Sequence, residues 1–292
     1  FNPIGALLGM WMAMEFVQAR MSPMTTDQRA ELGDMQFNML KDHDLGVLIS
    51  PYLGLGIACI ILLVLIVVKK MPKNGDTRAK KSIHQAMKEL MQVKNYREGV
   101  IAQFFYVGAQ VTCWTFIIQY GTRVFMLEGM DEKAAEILSQ KYNIGAMMFF
   151  CVSRFICTWF LKYIPAGRLL SVLAIMAAVF IGGAILFPDR NGIYCLVGVS
   201  GCMSLMFPTI YGIALRGVGE NVKFAGAGLI MAILGGSVFP MLQAMIIDAK
   251  FQFAGLSSTN LSFIVPFCCF VVVAIEESCL FGTQVHIRIM GK

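Results

Sequence analysis

The chain has 292 residues, 57% of them hydrophobic, and a formal net charge of +6. Mean hydropathy is +0.68, and only 14% of residues are charged, against roughly 25% in an ordinary soluble domain. These values exclude a soluble globular domain, which could not hide so much apolar surface, and point to a protein whose outer faces dissolve in hydrocarbon.

Eight apolar runs follow one another, at about 1–19, 46–68, 99–122, 141–161, 168–187, 193–215, 226–247 and 261–282. Each reaches the roughly 20 residues that a helix needs to cross a bilayer, so the chain reads as an all-α polytopic membrane protein of eight transmembrane helices. The first run opens at Phe1 with no initiator Met and no signal peptide. The chain therefore reads as a piece whose beginning is lost.

Between the second and third runs lies the one long polar stretch on its side of the membrane, 69–98. Pro72, Asn74, Gly75 and Asp76 form a turn. Ile83, Met87, Leu90 and Met91 then recur at helical spacing opposite Lys80, Lys81 and Lys88, the pattern of a basic amphipathic helix at a membrane surface.

The run 99–122 carries Gln103, Tyr106, Gln110 and Trp114 at i, i+3, i+7 and i+11. That spacing puts all four on one helical face, in a line about 16 Å long at 1.5 Å per residue. Amides are costly in lipid, so this face should look into the bundle or a wet cavity. Amides that both donate and accept, beside aromatic planes, suit a sugar's hydroxyls and C–H face. The bland alternative is that the two glutamines only tie helices together.

Further along, Arg154 is the one basic residue well inside an apolar run. It reads either as a gate or helix-pairing group, or as an anchor snorkelling to the interface. The run 193–215 holds Phe207, Pro208 and Tyr211, and a mid-helix proline implies a kink. The run 226–247 holds Gly226, Gly228, Gly235, Gly236 and Pro240, read either as a flexible rocking helix or as tight packing. Glu276 and Glu277 end the last run and are placed at the interface.

The nine cysteines all fall in apolar runs without a CxxC, and His43, His84 and His286 are scattered. No metal or cofactor is expected, and no nucleophile–base pair or phosphate loop suggests an enzyme.

Alternate connecting segments differ in charge. One set, containing 69–98 and the C-terminal tail, carries 15 Lys/Arg and 4 acids. The other, containing 20–45 and 248–260, carries 8 Lys/Arg and 11 acids. The basic set is therefore assigned to the cytoplasm.

The strings Ala102–Gln110 followed by Trp114, Ser153–Phe155 with Thr158 and Trp159, and Phe207–Gly212 closely resemble the fucose permease family. So do Gly219–Lys223, Ile233–Gly236 and the opening Phe1–Gly5. The resemblance covers nearly the whole chain. It implies a twelve-helix major facilitator fold that moves a monosaccharide with a proton by alternating access, this chain holding helices five to twelve. It also implies sugar-facing roles for Asn2, for the Gln110/Trp114 face and for the region of Phe207. The proton-carrying carboxylates of the family would lie in the first four helices.

The resulting division is 1–68 for the last two helices of an N-terminal half, 69–98 for a cytoplasmic linker, and 99–292 for a C-terminal six-helix bundle with a short tail. The expected substrate-binding set is Asn2, Gln103, Tyr106, Gln110, Trp114, Phe207 and Tyr211. Arg154, Pro208, Gly235 and Gly236 are the gating or structural set. The expected partners are a monosaccharide, L-fucose first, protons and the lipid bilayer, with no nucleic acid, for a monomer in the inner membrane. A glucose/galactose transporter of the same family, and a non-transporting membrane sensor or structural subunit, are the alternatives.

The orientation makes a direct prediction. In a background without accessible native cysteines, a cysteine replacing Asn74 should react only with a reagent on the cytoplasmic side, and one replacing Ser257 only with a reagent outside. The reverse labelling would overturn the assigned topology.

Overall fold

The computed structural model describes residues 32–69, 83–253 and 255–276, together with 5, 8, 9, 11–18, 20–22, 24 and 29. Asn2, the 70–82 stretch with Lys80 and Lys81, and everything from Glu277 onward, Cys279 and His286 included, lie outside the described residues. The first apolar run is described only in part.

The chain divides into two compact units, Phe1–Lys80 and Lys81–Lys292. In the first, α1 (Asp34–Val68) is 35 residues long. At 1.5 Å per residue it extends about 52 Å, well beyond a hydrocarbon core of about 30 Å. Its apolar part starts near Gly46. The preceding turns are polar and are tied to the incoming chain: Asp44 accepts from the Ser22 amide at 3.0 Å and pairs with the Arg29 guanidinium at 2.8 Å.

The second unit contains α2 (Ile83–Gln92), α3 (Lys94–Leu127), α4 (Glu132–Phe160), α5 (Ala166–Leu186), α6 (Arg190–Met203), α7 (Met206–Ala214), α8 (Val222–Met231) and α9 (Gly235–Asp248). A two-residue hairpin, β1 (Gln252–Phe253) and β2 (Leu256–Ser257), then leads into α10 (Ser258–Glu276). By length and composition the described residues hold seven helical spans able to cross a membrane, counting α6–α7 and α8–α9 as one interrupted span each.

The central rod is α3, which packs against α2, α4, α6, α7, α8, α9 and α10. Small residues make this approach close. A Cβ on Gly235 would collide with the Phe104 carbonyl, and one on Gly108 with the Phe239 ring. The two glycines thus seat α3 and α9 closely, Gly235 against the α3 backbone and Gly108 against the Phe239 side chain. Phe104, Phe105 and Phe239 fill the seam with ring centroids 5.2–5.6 Å apart.

Polar ties close the ends. The Tyr120 hydroxyl reaches the Phe187 and Ala184 carbonyls at 2.7 and 2.8 Å, satisfying the C-terminal end of α5. Arg190 grips Glu128 with both Nε and a terminal nitrogen, the latter at 2.7 Å, and holds that carboxyl below the usual carboxylate range.

The amphipathic segment is a helix, with a different buried stripe from the one read in the sequence. Ala86 and Leu90 are buried, while Met87 and Met91 are exposed. Leu90 packs with Tyr96, Ala214, Val218, Ala225 and Leu229. Asn221 donates to Glu89 Oε2 at 2.9 Å and ties the helix to the α7–α8 turn. The helix therefore docks on protein along one stripe and leaves its methionines for the membrane interface.

Two glycine substitutions test the packing. Gly235→Ala forces a methyl against rigid backbone and should cost about 1–3 kcal/mol, read as a lower melting temperature in detergent. Gly145→Ala, with open space around it, should be neutral or gain about 0.5–1 kcal/mol. Equal effects would contradict the close α3–α9 seam.

Candidate functional site

The span 190–214 does not run straight. It stops at Met203, turns through Ser204 and Leu205, and restarts at Met206. Pro208 explains the position. A proline has no amide hydrogen, so the carbonyl four residues earlier loses its helical donor. That carbonyl belongs to Ser204. Arg154 Nε donates to it at 2.8 Å. The neighbouring Met203 carbonyl accepts from the Tyr106 hydroxyl at 2.9 Å. The break is thus capped by two side chains, one from α4 and one from α3.

Around this break the aromatic residues gather. The Tyr106 and Phe207 rings meet edge to face at 6.5 Å, and Phe207 stacks on Tyr211 at 6.4 Å with planes 9° apart. One turn along α3 from the half-buried Gln110, the Trp114 and Phe150 rings stand edge to face at 5.1 Å. Trp114 Nε1 donates to Ser200 Oγ at 3.3 Å, and Asn143 Nδ2 donates to the Trp114 carbonyl at 3.3 Å. The Arg154 guanidinium carbon lies 4.9 Å from the Phe150 ring centroid. Arg154 is therefore bound within the bundle by a carbonyl and a ring.

The four-residue face of α3 separates by burial. Gln103 and Tyr106 are completely buried, and the Gln103 amide has no hydrogen-bond partner among the described residues. Gln110 and Trp114 are half-buried, as are Phe207 and Tyr211. Of the sequence-derived set, Tyr106, Phe207 and Tyr211 form one cluster, and Trp114 and Arg154 meet through Phe150. Gly235 and Gly236 lie on the α9 seam with α3, where a Cβ on Gly236 would press on Val111 at 3.0 Å. Glu276 is half-buried at the end of α10. Among the described residues no group of three or more His, Cys, Asp or Glu is placed to hold a metal.

Asn143, Phe150, Ser200 and Ser204 were not singled out in the sequence. A signal existed for two of them: Asn143, Phe150 and Arg154 fall at i, i+7 and i+11 on α4, a spacing that repeats part of the α3 face. The serines carry no comparable signal, since small hydroxyls are common in membrane helices.

No protein-family model matches the chain. Curated relatives do. The chain is 43% identical over 284 residues to the L-fucose-proton symporter of Haemophilus influenzae, covering 94% of this chain and 64% of that protein. It is 26% identical to the L-fucose-proton symporter of Escherichia coli K12, covering 94% and 61%. It is also 26% identical to a glucose/galactose transporter of Brucella abortus, covering 77% and 51%. The chain thus spans a little under two thirds of the length of the fucose symporters it matches. Among solved structures it resembles the major facilitator transporter FucP in the outward conformation, with a TM-score of 0.71 and 24% identity over 95% of this chain and 65% of that one. The helical spans and these matches agree: over nearly its whole length the chain is similar to L-fucose-proton symporters, and it has the fold of a major facilitator transporter.

Proposed function

We propose that the protein is a multi-pass inner-membrane transporter, acting as a monomer, that imports a monosaccharide, L-fucose first, together with a proton by alternating access. The observation that carries the reading is the 43% identity to an L-fucose-proton symporter over 94% of the chain. The glucose/galactose relatives match at 26% over a smaller share, which ranks that substrate second.

The site geometry supports a sugar platform on the half-buried residues. Gln110 offers a donor and an acceptor to a pair of hydroxyls. Trp114 and the stacked Phe207–Tyr211 pair offer ring surface to a C–H face. Asn2, outside the described residues, is a further proposed sugar contact. Tyr106 and Gln103 complete the proposed set from behind: Tyr106 touches Phe207 and holds the carbonyl at the break, and Gln103 lies on the same face one turn toward the cytoplasm. Two interrupted spans, 190–214 and 222–248, flank α3, and interrupted helices are where transporters build their sites.

Sugar binding to the intact protein tests the reading. Gln110→Ala leaves a sugar hydroxyl unpaired in a desolvated site, at a cost of about 1–3 kcal/mol, and should weaken L-fucose binding roughly 5- to 150-fold. Trp114→Ala should weaken it through lost ring contact, while Thr115→Ala, on an exposed part of α3, should leave it unchanged. Parent-like binding by both Gln110→Ala and Trp114→Ala would make the α3 face helix glue and move the site elsewhere.

A further inference from the structure

At the end of the bundle that the charge asymmetry assigns to the outside, α3, α9, the hairpin segment after it and α10 line an open cavity of about 330 Å³. It is remote in sequence from the aromatic cluster and shares no residue with it. Arg123 from α3 and Lys250 just past α9 both line it, together with Ser258 and Thr259 at the start of α10. No acid lines it. Glu128, farther along the chain from Arg123, is gripped by Arg190. Asp248, two residues before Lys250, is exposed and does not line the cavity. Neither Arg123 nor Lys250 is in a salt bridge among the described residues.

Two cations facing one cavity with no anion between them repel each other, and more strongly where water is scarce. Lys250 is moreover the one described non-glycine residue with a left-handed backbone, at φ 46°, a conformation unfavourable for a side chain with a Cβ. The Thr259 hydroxyl makes no hydrogen bond among the described residues. Charge, hydroxyl and cavity together fit an anion with several acceptor oxygens. The wall also includes Ile247 and the exposed Phe251, so the fitting ligand has hydrocarbon beside its charge. That is the arrangement of a membrane–water interface.

We propose that this cavity binds the phosphate group of an anionic phospholipid in the outer leaflet, with Arg123 and Lys250 as the charge pair and Thr259 as a donor. The site is independent of the sugar platform, and its test reads binding, not transport.

The intact protein in an uncharged detergent is titrated, by native mass spectrometry, with short-chain phosphatidylglycerol, with phosphatidylcholine of the same chain length, and with inorganic phosphate. Phosphatidylglycerol should bind in preference to phosphatidylcholine. Lys250→Gln and Arg123→Gln should each weaken it about fivefold, as loss of one interfacial cation does, and the double variant should lose the preference. Lys162→Gln, an exposed cation at the opposite end of the bundle, should change nothing. Lys250 is exposed, so Lys250→Gln carries the test even if Arg123→Gln fails to fold. Unchanged phosphatidylglycerol binding in Lys250→Gln, or no preference over phosphatidylcholine in the parent, would overturn the proposal. Inorganic phosphate that binds as tightly and displaces the lipid would also overturn it, by making the ligand a soluble anion.

Discussion

Two backbone carbonyls govern the second unit. In hydrocarbon a carbonyl without a donor costs several kcal/mol, so a broken membrane helix persists only where side chains replace the lost amides. Pro208 withdraws the donor from Ser204, and the helix end at Met203 frees another carbonyl. Arg154 and Tyr106 take one each. The need is mutual: an arginine at membrane depth requires an acceptor, and the break supplies it. The restart of the helix at Met206 then sets Phe207 against Tyr106 and in register with Tyr211.

The second interruption has a different cause. The span 222–248 passes through a 3-10 turn at Ala232–Leu234 before Gly235 and Gly236. Here close packing dominates. A Cβ at Gly235 would overlap the Phe104 carbonyl, so only glycine lets α9 lie this close to α3. Both interrupted spans therefore lean on α3, one through hydrogen bonds and one through glycines. A rod with a capped break on one side and a glycine seam on the other holds the aromatic cluster in place.

Much of this was legible in the sequence, within limits set by what hydropathy measures. The apolar runs located the described spans, yet their ends fell short: α3 starts at Lys94 and not near 99, α4 at Glu132 and not near 141, α1 at Asp34 and not near 46. Hydropathy sees the part of a helix that lies in lipid, while the helix continues into water with charged turns. Pro208 announced an interruption, which falls one turn earlier because a missing amide acts on the carbonyl four residues back. In 226–247 the interruption falls at Ala232–Leu234 and not at Pro240, which remains inside α9. The helical spacing of Gln103, Tyr106, Gln110 and Trp114 identified one face but could not divide it into a buried half and a half-open one. That division depends on where α6, α7 and α9 cross α3. Arg154 left two readings open because its acceptor, the Ser204 carbonyl, is 50 residues away and carries no side-chain signature.

The capped break can be tested without a ligand by a double-mutant cycle on Arg154 and Pro208. Pro208→Ala restores an amide that can reach the Ser204 carbonyl, so Arg154 loses its task there. The account predicts that Arg154→Gln lowers the melting temperature of the intact protein clearly in the parent and by less than half as much in the Pro208→Ala background. An equal loss in both backgrounds would contradict it, because Arg154 would then stabilise the bundle by some route other than the carbonyl that Pro208 leaves free.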